Sequence, residues 1–119
     1  MKPIDPKQKL TLFKDHWNPR VIAELNGQQV KVAKLKGDFV WHSHDEEDEL
    51  FYVLKGTLKM EFEDRTEVIP EGEFIVVPRK VKHRPIAEEE VHIMLFEPAS
   101  TINTGDADDE RRRDDLDRI

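Results

Sequence analysis

Three histidines and one glutamate have the types and spacing to hold a metal ion: His42 and His44, separated only by Ser43, then Glu49, then His83. Neutral imidazoles and carboxylates donate lone pairs. In an extended chain alternate side chains share a face, so His42 and His44 point the same way. Glu49 has the opposite parity. Asp45-Glu46-Glu47-Asp48 must therefore form a loop or bulge that resets the register, which makes those four acids loop rather than ligands. His83 follows the apolar run Phe74-Ile75-Val76-Val77 and the turn-like Pro78-Arg79-Lys80, so a separate strand carries it inward. Three imidazoles and one carboxylate suit a divalent transition metal, whether iron, manganese, nickel, copper or zinc, better than calcium or magnesium. The chain has no cysteine, which removes both a thiolate zinc site and a disulfide framework.

The elements that must position these side chains are mostly strands. Val21–Leu25 and Val30–Leu35 flank Asn26-Gly27, the strongest short hairpin signal. Further strands are expected over Phe39–His44, Glu49–Leu54, Thr57–Glu63, Glu73–Val77, His83–Ala87 and Val91–Glu97. Leu58, Met60 and Phe62 alternate with Thr57, Lys59, Glu61 and Glu63, the pattern of a sheet with one face on a core. Ahead of them, Asp5 caps a short helix with Pro6 at its first position, and Leu10, Phe13 and Trp17 recur at helical spacing until Asn18-Pro19 ends it. The segment after Pro98 turns polar. Asp108 with Arg112, and Asp109 with Arg113, would support a frayed helix by i to i+4 pairing, but a solvated tail is the plainer expectation.

Composition bounds the function. A chain of 119 residues, 37% hydrophobic and 38% charged, fits one soluble domain with one core. A net charge of −7 argues against nucleic acid, and the Arg111-Arg112-Arg113 triplet is flanked by acids. There is no apolar run of the roughly 18 residues a membrane span needs, and no secretory leader pattern, so a cytoplasmic protein is expected.

These residues resemble a known family, the cupins. The first cupin motif is matched by Gly37-Asp38-Phe39-Val40-Trp41-His42-Ser43-His44, four residues, Glu49, six residues and Gly56; the second by Gly72, five residues, Pro78 and His83. The resemblance runs from about Val21 to Gly105. Its ending, Glu97-Pro98 with Asn103-Thr104-Gly105-Asp106, looks like that of small bacterial cupins often labelled mannose-6-phosphate-isomerase-like, a label of fold whose reaction is not carried across. The resemblance implies an all-β double-stranded β-helix, a jelly-roll barrel, with His42, His44, Glu49 and His83 binding a divalent metal inside it. It also implies that Gly56 and Gly72 turn the chain around a short hairpin between the motifs. An N-terminal helical arm (residues 1–20), a cupin domain (21–105) and a charged C-terminal tail (106–119) complete the expected organisation. Two positions depart from the pattern: Lys80 stands where the family has a glycine, and Ala87 where it has an asparagine. The first motif is also one residue short between Gly37 and His42.

Tyr52, Arg84 and His92 are the polar candidates beside the ligands, His92 reading first as structural among Val91, Ile93, Met94, Leu95 and Phe96. Phe51, Val53, Met60 and Phe62 read as core before pocket, and Trp41 as facing away from His42. Two functions fit: an oxygenase, isomerase or decarboxylase acting on a small molecule at two open metal positions, or a non-catalytic module that binds metal and a small ligand. No decisive general base identifies a reaction. A homodimer is expected because an open β-sandwich leaves edges to be covered, with the segment bearing Leu10, Phe13 and Trp17 as candidate cover.

Overall fold

In the computed structural model, which describes residues 1–119, the Asp5 side chain caps α1 (Pro6–Leu10) by accepting from the Lys7 N–H at 3.0 Å. The helix stops well short of Trp17. Both the Thr11 N–H (3.1 Å) and its hydroxyl (2.6 Å) turn back to the Gln8 carbonyl, closing the last turn. Leaving the helix lets Leu10 and Phe13 pack together on Val32, with Ile22, Leu54, Met94 and Ile119 around them. Trp17 diverges to stack on Phe39 at 4.6 Å. The candidate cover thus lies over the outer face of its own sheet rather than over an edge.

The strands are β1 (Arg20–Leu25), β2 (Gln28–Asp38), β3 (Glu49–Lys55), β4 (Thr57–Phe62), β5 (Thr66–Pro70), β6 (Phe74–Val77) and β7 (His83–Pro98). All pair antiparallel, in the order β1-β2-β7-β3-β6, with β4 joining β5 and β7. Asn26 (φ 50°) and Gly27 (φ 78°) make the β1–β2 hairpin turn, the left-handed pair that matches strand twist. Gly56 and Gly72, at φ 88° and 87°, bracket the β4–β5 hairpin as expected. Phe51 and Val53, Leu58, Met60 and Phe62, and Val91, Ile93 and Leu95 all face inward into one core. Each such side chain contributes about 1.5–3 kcal/mol by leaving water, so the apolar strand faces suffice to form the barrel.

Three expectations need correction, and one strand was not foreseen. Residues 39–48 form no regular strand; only an isolated bridge between His42 and His83 joins them to the sheet. Thr66–Pro70, absent from the expected strands, is β5 and pairs with β4 from Thr57 to Glu61. His83–Ala87 and Val91–Glu97 are one 16-residue strand whose exposed Glu88-Glu89-Glu90 separates a half paired with β4 from a half paired with β3, while β2 runs along both. The C-terminal segment, expected as a solvated tail rather than a helix, forms no helix, with Arg111 pairing with Asp109 and Arg112 with Asp114, but it does not trail away. It returns instead to the β1 edge, where the Val21 N–H donates to Asp117 O (2.9 Å) and the Ile119 N–H to Val21 O (3.1 Å).

Candidate metal centre

His42, His44, Glu49 and His83 converge, with one donor atom from each lying within 4.8 Å of the others. All four are buried, at 3, 4, 4 and 0% exposure. Glu49 opens β3 and His83 opens β7. His42 is tied to His83 by a reciprocal backbone pair at 3.0 and 2.9 Å. The Lys80 N–H donates to the His44 carbonyl at 2.7 Å. Lys80, at the position where the cupin pattern has a glycine, adopts a left-handed backbone at φ 69°, at about 1–2 kcal/mol of strain. Asp45-Glu46-Glu47-Asp48 is loop, as parity required: Asp48 holds Arg79 and Glu47 accepts from Ser100.

The tautomers follow from the hydrogen bonds. His42 Nδ1 and His83 Nδ1 each lie 2.9 Å from a carbonyl oxygen, of Val40 and Val81, and a carbonyl only accepts, so both Nδ1 atoms carry the proton. Their Nε2 lone pairs are thereby left for the centre. Glu49 Oε1 lies 2.9 Å from His44 Nε2 and 3.2 Å from His83 Nε2, yet none of these three buried atoms has a hydrogen-bond partner. Unpartnered donor atoms crowded at one point are the arrangement a cation resolves.

Charge is distributed unevenly. Burial, and behind it the neighbouring His83, pull His42 down to about 4. Burial works against the charge on His44 too, but the adjacent Glu49 carboxylate, with Glu47 and Asp106 behind, holds it above its ordinary value. Glu49 stays below the carboxylate range although buried, because His44 and His83 face it.

Residues 27–97, which contain all four donors, match the cupin domain family (Cupin_2). The chain belongs to this family. As a cupin it is similar in structure to a cupin-2 domain containing protein from Shewanella frigidimarina, at 47% identity and a TM-score of 0.79 over 80% of this chain and 93% of that one. It also resembles protein NMB1881 from Neisseria meningitidis, at 35% identity and a TM-score of 0.76 over 82% and 100% of the two chains. Among curated proteins, "Uncharacterized protein YdbB" of Bacillus subtilis is 38% identical over 64 residues, 53% of this chain, which spans 57% of that relative's length.

The three polar candidates beside the ligands all face away in this cupin. Tyr52 alternates with inward Phe51 and Val53. Arg84, next to inward His83, is held by Glu61 at 2.8 Å and lies over Trp41, which turns outward as expected. His92 pairs with Glu90 at 2.8 Å on the outer surface. The inward polar residues are instead Lys31 and Glu97, 2 and 3% exposed, paired across β2 and β7 at 3.1 Å. Their signal was charge at the inward parity of apolar strands: Lys31 in step with Ala33 and Leu35, Glu97 with Ile93 and Leu95. Burial, with the adjacent Glu49 charge, raises Glu97 well above the carboxylate range. Glu97 Oε1 accepts from Lys31, while Oε2 has no hydrogen-bond partner. A cavity reaches this group of residues between Leu35, Phe39, Phe51, Ile93 and Leu95, with Trp17 and Asn103 also lining it.

Proposed function

We propose that this cupin holds one divalent transition metal through His42, His44, Glu49 and His83, and binds or transforms a small molecule in the adjoining cavity. The observation that carries the reading is the trio of buried, unpartnered atoms, His44 Nε2, Glu49 Oε1 and His83 Nε2, beside a His42 ring whose Nδ1 is committed to a carbonyl. The mixed nitrogen and oxygen set fits iron, manganese, nickel, copper or zinc. A bound metal would supply Lewis-acid chemistry, or redox chemistry if it is iron, manganese or copper, with positions beyond its four protein ligands for the small molecule. The chain's own residues shape that molecule: Leu35, Phe51, Ile93 and Leu95 exclude water from its apolar body, and the buried Lys31–Glu97 pair sets polar groups beside it. An oxygenase, isomerase or decarboxylase fits this arrangement, and so does a binding module without turnover.

The test is metal analysis after chelation and anaerobic reloading with each of the five metals, followed by oxygen-uptake and ligand-binding screens. One metal per chain, lost in ligand variants, is the expected result. No stoichiometric metal under any loading condition would overturn the reading.

The proposal extends to a homodimer. Phe96, Leu50 and Val76 lie in register across β7, β3 and β6, as do Met94, Tyr52 and Phe74. Phe74 and Val76 are 59 and 50% exposed on β6, a strand at the end of its sheet. An apolar face beside an open edge favours association with a second copy.

A further inference from the structure

We infer that the turn at residues 102–107 is a clamp that positions the two paired histidines, with Asp106 as its acting residue and Gly105 as the residue that permits its approach. The inference rests on the metal reading above. His42-Ser43-His44 lies outside any regular strand, so no continuous ladder fixes its peptide planes. One side is held through His83 and Lys80, which bond the backbone of His42 and His44. On the other side, both backbone polar groups of Ser43 go to Asp106. The Asp106 N–H donates to Ser43 O at 3.0 Å, and the Ser43 N–H donates to Asp106 Oδ1 at 2.8 Å. The Ser43 hydroxyl adds a longer contact to Asp106 Oδ2 at 3.3 Å. Ser43 sits between the two imidazoles, so rotation of its peptide planes would swing both rings.

Gly105 is fitted to this approach. It adopts φ 55°, and a Cβ there would lie 2.3 Å from Ser43 O and 3.0 Å from the His42 ring. The turn is held from within: the Gly105 N–H donates to Ile102 O at 2.8 Å and the Ala107 N–H to Thr104 O at 3.0 Å. Thr104 is fully buried. Asp106 touches no metal donor, so it is a positioning residue acting through Ser43. Such outer partners typically govern metal affinity by about 10–100-fold.

Cobalt(II) is the probe, read by equilibrium competition with a chelating dye and by its visible absorption. Wild type should bind one cobalt per chain. Asp106→Ala should bind about 10–100-fold more weakly, with an altered cobalt spectrum. Asp106→Asn, which keeps an oxygen for the Ser43 N–H, should return to near the wild-type value. Asp114→Ala, on the same segment but paired only with Arg112, should match wild type. Gly105→Ala should lose cobalt at least as severely; if it does not fold, the Asp106 series carries the test. A merely structural role would lower the melting temperature of the metal-free variant and leave cobalt affinity and spectrum unchanged. That result, or equal losses in Asp106→Ala and Asp114→Ala, overturns the clamp. Failure of wild type itself to bind cobalt overturns the metal reading instead.

Discussion

Replacing His44 by alanine should uncouple metal from stability while leaving the fold. The barrel is built from Phe51, Val53, Leu58, Met60, Phe62, Val91, Ile93 and Leu95, none of which touches the metal through a donor atom, so the metal-free chain should remain folded. A metal that binds only the native state adds about 4 kcal/mol at a thousandfold excess over Kd. For 119 residues the unfolding entropy is about 0.25 kcal/mol/K, so chelation should lower the wild-type melting temperature by about 16 °C. His44→Ala removes one of four donors and should show almost no chelator shift, although the cavity it leaves costs about 2 kcal/mol in its own baseline. Thr57→Ala, at an exposed position of β4, is the control and should keep the full shift. The assay is thermal unfolding by circular dichroism, with one equivalent of metal and then with excess chelator. Equal chelator shifts in wild type and His44→Ala would show that the metal sits elsewhere and refute the site.

In metal-free protein, His42 titrates near 4 rather than 6.5, so the unfolded chain takes up a proton that the folded chain refuses as pH falls between those values. That contribution to stability is present above pH 6.5 and lost on acidification, so the stability of wild type relative to His42→Asn should decline by about 3 kcal/mol from pH 6.5 to 4; parallel profiles would refute it. Glu97→Leu should destabilise by about 3 kcal/mol, because it leaves the buried Lys31 ammonium without its acceptor, and adding Lys31→Met should restore most of the loss; additive urea midpoints would contradict this. Lys80→Gly should raise stability by about 1 kcal/mol by relieving the left-handed strain, with unchanged metal binding, whereas a loss in urea unfolding would show that the lysine is not strained. Sedimentation should show a dimer at micromolar concentration, dissociated by Phe74→Glu; a strict monomer would remove the proposed interface.

What the sequence revealed was governed by range. Asn26-Gly27 forces its turn through the backbone of two residues, and the alternation of Leu58, Met60 and Phe62 is a local consequence of the pleat, so both were readable. The same-face argument for His42 and His44 reached the right convergence by a route the fold does not use, since residues 39–48 are not a strand. Parity alone would have excluded Tyr52, Arg84 and His92, each of which adjoins an inward residue, and would have admitted Lys31 and Glu97. The C-terminal segment was opaque for a different reason. Its acids and arginines read as solvated because their partners are distant: Asp106 meets Ser43 across 63 positions, and the Arg111 guanidinium donates to Asp38 O across 73.

The centre's electrostatics link folding to loading. Burying three imidazoles and a carboxylate in a small barrel would be costly if every lone pair stayed unanswered. In the metal-free chain a proton can take the ion's place. His44 is held above its ordinary value by Glu49, 2.9 Å away, which is itself held below the carboxylate range. His42 is pulled the other way, to about 4, so acidification protonates His44 before His42. A proton on His44 Nε2 would occupy the lone pair a metal must use. Metal at the proposed centre would therefore compete with a proton for His44, so loading should weaken on acidification.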